Sequence, residues 1–136
     1  QHQDLRTEDG VMYGDVLSGV NFDYARKVTA LNVVTLASLA AAPAPPSGVL
    51  IEGQVSPDTT LQWQRVSGAA GYRVHWRLTT EAQWTHSRWV GDVDAATLEN
   101  VVIDNYLFGV SSVSEAGFSS PVVFPGPIGS FKTDEN

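Results

Sequence analysis

The sequence predicts a mainly β protein, an antiparallel sandwich of about seven strands preceded by one N-terminal α-helix. After residue 48, short segments alternate apolar and polar residues with a period of two, and turn residues separate them. Before residue 43, a stretch without glycine or proline shows the three-to-four-residue spacing of a helix. Short strands with no helix between them pair most simply as antiparallel neighbours in two facing sheets.

The helix is predicted over residues 22–41. Asn21 can cap its first turn, and Asp23 places a negative charge where the helix dipole favours one. Apolar residues form one stripe, at positions 24, 28, 31, 35 and 39, but positions 33, 34 and 36 lie off it. Apolar side chains on several sides require several neighbours, which the polar, turn-like residues 1–20 cannot supply. We therefore expect the helix to be the end of a larger domain; the alternative is that it packs only on the domain that follows.

A proline-rich stretch separates the two patterns. Three of the four residues 43–46 are proline, which cannot continue a helix and favours an extended, stiff spacer. We expect poor packing in residues 1–21. The predicted organisation is the C-terminal remnant of a larger domain over 1–42, a linker over 43–47, a sandwich over 48–126 and a loose tail over 127–136.

Seven segments rich in β-branched and aromatic residues are predicted to be the strands of the sandwich. In chain order they are 49–51, 60–63, 71–78, 83–90, 97–98, 105–110 and 121–124. Turn residues separate them, as in Ser56-Pro57-Asp58 and Gly91-Asp92.

Composition excludes several classes of function. The 136 residues include 8 basic and 15 acidic side chains, a formal charge of -7, whereas a nucleic-acid binder needs a basic footprint. No apolar run reaches the roughly 18 residues of a membrane span. Without cysteine the chain forms neither disulfides nor thiolate metal sites. We expect neither a nucleic-acid partner nor a membrane span.

Residues 43–125 resemble a fibronectin type III domain. The residues that carry the resemblance occur in the family's order: the proline-rich entry, Trp63 on the second strand, Gly71-Tyr72-Arg73-Val74 on the third, Leu98 eight residues before Tyr106, and the turn at 115–120. The resemblance implies a fibronectin type III-like sandwich whose interior Trp63, Tyr72, Leu98 and Tyr106 share. It also implies that the Tyr106 ring fills the corner between the sheets while its hydroxyl bonds a backbone group.

The N-terminal segment resembles a different family. Residues 9–15 and 20–32 are similar to the C-terminal end of bacterial zinc-dependent aminopeptidases, which are two-zinc exopeptidases. The resemblance implies a secreted or periplasmic parent protein that removes N-terminal residues from peptides with a zinc-activated water. It also implies a zinc ligand shortly before the helix, where His2 is the one candidate. The alternative is that the ligand lies upstream of Gln1 and that His2 has no ligand role.

A two-zinc site needs about five histidine or carboxylate ligands and a further carboxylate as proton acceptor. This chain offers at most one such ligand, so we expect it to hold no catalytic residue, and zinc to belong to the rest of the parent. Asp92 and Asp94 are too few for a calcium loop and indicate a solvated turn. The predicted function is a non-catalytic C-terminal accessory module that packs on, or spaces, the catalytic domain.

One predicted surface is basic and aromatic. If Thr80-Glu81 turns the hairpin, positions whose numbers sum to 161 face each other, which pairs Arg73 with Arg88, His75 with His86 and Arg77 with Trp84. Alternation places these residues outside, and Tyr72, Val74 and Trp76 in the core. Arg77 and Trp84 can then form a cation–π pair. A zinc site between the two histidines would be weak, and none is expected.

Two interpretations of this surface remain open. It docks an acidic partner, namely the catalytic domain in cis, another protein surface or an anionic polymer, or it is a solvated face neutralised by Glu81, Asp92 and Asp94. An alternative function of another class is a carbohydrate- or surface-binding module of an extracellular polysaccharide-degrading or adhesive protein. Exposed aromatic rings would support that alternative; Trp84 and Trp89 are the candidates, although the predicted register exposes only Trp84.

Overall fold

The computed structural model describes residues 4–126, which fall into two compact units, the first ending at Ala37 and the second beginning at Ser38. His2 and the predicted tail over 127–136 lie outside the described residues. The first unit contains a hairpin of β1 (Arg6–Glu8) and β2 (Val11–Tyr13), a 3-10 turn (Leu17–Gly19) and most of α1 (Phe22–Ala40).

Helix α1 begins and ends close to its predicted limits. The backbone N–H of Tyr24 donates to Asn21 Oδ1 at 2.9 Å, which is the predicted N-cap. The helix ends at Ala40, just before the proline-rich stretch, and it buries none of its residues. Within residues 4–126, no helix combines the length and apolar character needed to cross a bilayer.

The β1–β2 hairpin is an element that the sequence analysis described only as turn-like. Its turn is Asp9-Gly10, and both residues have a positive φ, 49° and 79°. Two consecutive residues with positive φ form the turn that matches the twist of a two-stranded ribbon. The Arg6 guanidinium closes one side of the hairpin, 2.7 Å from Glu8 Oε1 and 5.1 Å from the centre of the Tyr13 ring.

The second unit is an antiparallel β-sandwich, as predicted. One sheet has the order β3-β4-β7 and the other β6-β5-β8. The strands are β3 (Ser47–Glu52), β4 (Thr59–Gln64), β5 (Gly71–Leu78), β6 (His86–Gly91), β7 (Ala95–Leu98) and β8 (Tyr106–Val113). The seventh predicted strand, over 121–124, runs beside β8 and is reduced to one isolated bridge, which joins Val123 to Val110; a second bridge just before it joins Ser119 to Val113.

The core lies between the two sheets and contains the four residues that carry the resemblance. Trp63, Tyr72 and Leu98 are buried, and Tyr106 packs against them half-buried. The Trp63 and Tyr72 rings are 5.3 Å apart and join the two sheets. The hydroxyl–backbone bond expected of Tyr106 is made instead by Tyr72, which accepts the Val66 N–H at 2.5 Å; we find no bond to the Tyr106 hydroxyl within residues 4–126.

The proline-rich stretch packs on the sandwich. Pro46 is buried, and the carbonyl of Ala44 accepts a 2.6 Å hydrogen bond from the hydroxyl of Ser112, which is itself fully buried. A buried hydroxyl needs a hydrogen-bond partner, and the backbone of the proline-rich stretch supplies it.

Candidate interaction surface

The outer face of the β6-β5-β8 sheet carries the basic side chains that the sequence indicated. Along β5, Tyr72 and Val74 face the core, whereas Arg73, His75 and Arg77 alternate with them and are half-buried. Opposite these three residues, β8 contributes Ser111, Gly109 and Leu107 to the same face. This part of the predicted surface is therefore one continuous face.

The predicted register between β5 and β6 is wrong by one residue. From residue 73 to residue 76, the numbers of the observed pairs sum to 162, with His75 opposite Ser87 and Trp76 opposite His86, so Arg88 lies opposite Val74. The cause is the connection between the strands. It extends to Thr85, and the Arg77 guanidinium and the Thr85 hydroxyl both bond to Glu81 within it. A slip of one residue turns every side chain of a strand to the other face.

His86 and Arg88 consequently leave the predicted surface. The His86 ring stacks on Trp76 with centroids 5.2 Å apart, on the core side of the sheet. Arg88 donates to the carbonyl of Thr97 on β7, which belongs to the other sheet. His75 and His86 therefore point to opposite faces, and they cannot share a metal ion.

The same slip brings Trp89 onto the outer face. Trp89 pairs with Arg73, and its side chain is 47% exposed. Its ring lies over Gly71, where an added Cβ would come within 2.5 Å of Trp89 Cη2. Glycine inside a strand marks a place where another group approaches the backbone closely. Gly71 therefore leaves room for an indole that stays at the surface.

Trp84 lies on the same face at the other end of β5. Its Cη2 is 3.3 Å from the position that a Cβ on Gly109 would take. The Arg77 guanidinium is 5.6 Å from the centre of its ring, which confirms the predicted cation–π pair. The ring of Phe124, which is 50% exposed, lies 5.2 Å from Trp84. Phe124 was not among the residues predicted for this surface. The strand glycines were the available signal, because Gly71 lies under Trp89 and Gly109 lies beside Trp84.

His75 lies in the middle of this face and is held by a hydrogen bond. Its Nε2 is 2.9 Å from the hydroxyl of Ser111, and its ring is 5.8 Å from that of Trp84. Burial, together with the nearby charge of Arg73, lowers the pKa of His75 from 6.5 to about 4. At neutral pH the imidazole is therefore uncharged, and the charge of this face comes from Arg73 and Arg77.

The carboxylates that were expected to neutralise this face lie elsewhere or have other partners. Asp92 and Asp94 accept ion pairs from Arg65, at 3.2 and 3.6 Å. Glu81 Oε2 accepts a hydrogen bond from Thr85. Within the described residues, Arg73 and Arg77 have no carboxylate within 4 Å. Their guanidinium groups donate instead to the hydroxyl of Ser87 and to a backbone carbonyl.

No metal centre is assembled in the part of the chain that the structure describes. Within residues 4–126, no group of three or more histidine, aspartate and glutamate side chains could hold an ion. The histidines of the sandwich are used otherwise, since His75 bonds Ser111 and His86 stacks on Trp76. The described residues therefore do not fit a zinc site, and no step of a reaction is assigned to them.

Comparison with known proteins gives relatives of the whole chain. It is 40% identical over 130 residues to a probable zinc metalloprotease of Pyrenophora tritici-repentis, a match that covers 93% of this chain and 27% of that protein. Probable zinc metalloproteases of Leptosphaeria maculans and Pyricularia oryzae are 44% and 40% identical, and the match covers 30% and 26% of their length. The chain thus spans about a quarter to a third of the length of these relatives. No family model matches the sequence.

Solved structures confirm the fibronectin type III-like fold. A Fn3-like protein from Clostridium thermocellum superposes with a TM-score of 0.51 at 25% identity, over 60% of this chain and 86% of that one. The fn3 domain of the human collagen alpha-1(XX) chain gives a TM-score of 0.51 at 19% identity, over 68% and 94% of the two chains. The second unit is therefore a fibronectin type III-like sandwich, within a sequence related to part of proteins named zinc metalloproteases.

Proposed function

We propose that this chain is the C-terminal accessory region of a secreted, zinc-dependent aminopeptidase. The β1–β2 hairpin and α1 are the last elements of the catalytic domain, and the fibronectin type III-like sandwich is a non-catalytic module attached to it. Zinc, its ligands and the chemistry belong to the rest of the parent protein. Nothing in the described residues is assigned a catalytic role.

The observation that carries the proposal is the exposed apolar surface of α1. Phe22, Tyr24, Leu31, Val34 and Leu36 are each more than three-fifths exposed. Isolated helices are marginally stable in water, and most helices in proteins are stabilised by packing one face against a neighbour. A helix with apolar residues on several sides is typical of a segment that is surrounded in its complete domain.

The relatives support a neighbour of the right kind. The similarity extends over 93% of the chain and therefore includes α1 as well as the sandwich. About 70% of each relative lies outside the matched region, which is ample for a catalytic domain. The aminopeptidase class is supported by the resemblance of residues 9–15 and 20–32 alone, and the name of the relatives supports the broader class of zinc metalloprotease.

Amide hydrogen exchange on this chain and on the longer protein that includes it tests the proposal. In the longer protein, α1 amides should exchange at least about a hundredfold more slowly than in this chain, because packing adds to the free energy of opening. The β5 amides should be protected alike in both. Equal exchange of α1 in the two proteins would overturn the packing role.

Two matched valine substitutions in the longer protein connect packing with activity. Val34→Asp on α1 should lower the yield of active enzyme at least about tenfold, since it places a charge in an apolar contact. Val55→Asp, in a fully exposed turn of the sandwich, should leave it unchanged. The assay is zinc-dependent release of the N-terminal residue from a peptide. Activity only on internal peptide bonds would refute the aminopeptidase assignment and leave a broader metallopeptidase.

A further inference from the structure

The outer face of the β6-β5-β8 sheet presents two similar groups of side chains. At one end Trp89 lies beside Arg73. At the other end Trp84 lies beside Arg77, and Phe124 packs against Trp84. Arg73 and Arg77 are four residues apart on one extended strand, so the two groups are about 13 Å apart. Each group therefore combines an exposed aromatic ring with an arginine that has no carboxylate partner within residues 4–126.

We propose that this face binds an acidic polysaccharide, a chain of sugar units that carry carboxylates. The C–H groups on one face of a sugar ring pack against the exposed rings of Trp89 and Phe124, and the carboxylates accept hydrogen bonds from Arg73 and Arg77. The proposal concerns the sandwich alone and does not depend on the peptidase assignment.

Charge complementarity favours an anionic partner. The protein has a formal charge of -7, yet this face carries two arginines, and its one histidine is neutral at pH 7. Arginine suits carboxylates because its planar group donates two parallel hydrogen bonds. Asp92 and Asp94 form ion pairs with Arg65, and no carboxylate of residues 4–126, Glu81 included, lies within 4 Å of the Arg73 or Arg77 guanidinium.

The pairing of a ring with each arginine favours a sugar polymer over an acidic peptide. Every unit of a polyuronate offers a flat apolar face and a carboxylate, which are the two features that each group of side chains can recognise. A peptide composed of acidic residues offers carboxylates but no ring face. Attraction of negative charge does not require an exposed aromatic ring. Trp89 is nevertheless 47% exposed, and its ring lies over the strand glycine Gly71.

Binding of the full 136-residue chain to polygalacturonate is the direct test, measured by affinity electrophoresis and calorimetry at low and physiological salt. Trp89→Ala and Arg73→Gln should each weaken binding by about tenfold or more, which corresponds to about 1.4 kcal/mol. Part of the wild-type affinity should persist at physiological salt, because ring packing is not screened by ions. Thermal unfolding establishes that each variant is folded.

Matched control variants distinguish binding at this face from nonspecific electrostatic and hydrophobic binding elsewhere on the protein. Arg26→Gln removes an exposed arginine from α1, and Tyr24→Ala removes an exposed aromatic ring from the same helix; both should leave binding unchanged. Should Trp89→Ala fail to fold, Phe124→Ala tests the other end of the face without disturbing the contact over Gly71.

Three results would overturn the proposal. The first is no binding of polygalacturonate by the wild-type chain at low salt. The second is equal binding of neutral galactan, which would remove any role for the arginines. The third is equal binding of polyglutamate with the same dependence on Trp89, which would identify an acidic polypeptide as the partner instead.

Discussion

The two units of this protein treat apolar side chains in opposite ways. In the sandwich, Leu61, Tyr72, Val74 and Val110 have no exposed surface at all, whereas α1 has no buried residue and leaves Leu31 67% exposed. Both sequences are nevertheless rich in apolar residues. The difference is that the period-two segments pair with one another and bury their apolar side chains between two sheets. Helix α1, in contrast, buries none of its residues against the described part of the chain. A buried core and a helix with exposed apolar side chains thus follow each other along one chain.

Two leucine substitutions provide the largest expected contrast. Leu61→Ala should lower the free energy of unfolding of the sandwich by about 2–5 kcal/mol, because it leaves a cavity between the sheets. Leu31→Ala should change it by less than about 0.5 kcal/mol, since an exposed side chain has little contact to lose. Urea unfolding followed by tryptophan fluorescence measures this, because all four tryptophans lie in the sandwich.

The same two leucine variants can also contradict the difference between the two units. A loss of more than about 1 kcal/mol in Leu31→Ala would show that α1 contributes to the sandwich in this chain. The helix would then pack on the domain that follows it, which is the alternative that the sequence left open. The proposed packing against a catalytic domain would lose its main support.

A smaller contrast separates two tyrosines within the sandwich. Tyr72→Phe removes the acceptor of the Val66 N–H and leaves that half-buried group unpaired, at a cost of about 1–2 kcal/mol. Tyr106→Phe should cost less than about 0.5 kcal/mol, because no bond to its hydroxyl is found within residues 4–126. Urea unfolding of the two variants measures the difference. A larger loss for Tyr106→Phe would restore the tyrosine to the role that the resemblance gave it.

Local signals in the sequence located most of the fold. The capped start of α1 at Asn21 and the third strand over 71–78 were predicted to within a residue, because their causes lie in neighbouring residues. The β1–β2 hairpin could also have been predicted, since Asp9-Gly10 is a strong hairpin signal. Its short strands were hidden by the polar character of the segment.

The candidate surface was harder to predict from the sequence than the fold, because its composition depends on the length of a loop. The outward alternation of Arg73, His75 and Arg77 follows from strand geometry and was correct. The register of β6 against β5 depends on the length of the connection through Glu81, which nothing in the local sequence specifies. The prediction was wrong by one residue, so it placed Arg88 on the outer face where the structure has Trp89. The hydroxyl bond of Tyr72 likewise joins a strand to the loop before it, a contact that no periodicity reveals.

The smallest expected effect is the dependence of the stability of the sandwich on pH, which the first unit should not share. The pKa of His75 is about 4 in the folded protein and 6.5 in the unfolded chain. Between pH 6.5 and 4, the imidazole is therefore protonated in the unfolded chain and neutral in the folded protein. The sandwich should therefore be most stable above pH 6.5 and lose stability as the pH falls toward 4. We expect a loss of about 1 kcal/mol, because solvent screens a half-buried ring.

Variants at the two histidines of the sandwich isolate the effect. His75→Gln should flatten the dependence of the urea midpoint between pH 6.5 and 4.5, whereas His86→Gln is the matched substitution in which the loss should persist. The helical circular dichroism signal is the internal reference, because residues 4–37 contain no histidine. If the loss were equally steep in His75→Gln, the origin would lie in the carboxylates, and the face around His75 would be more solvated than its bond to Ser111 indicates.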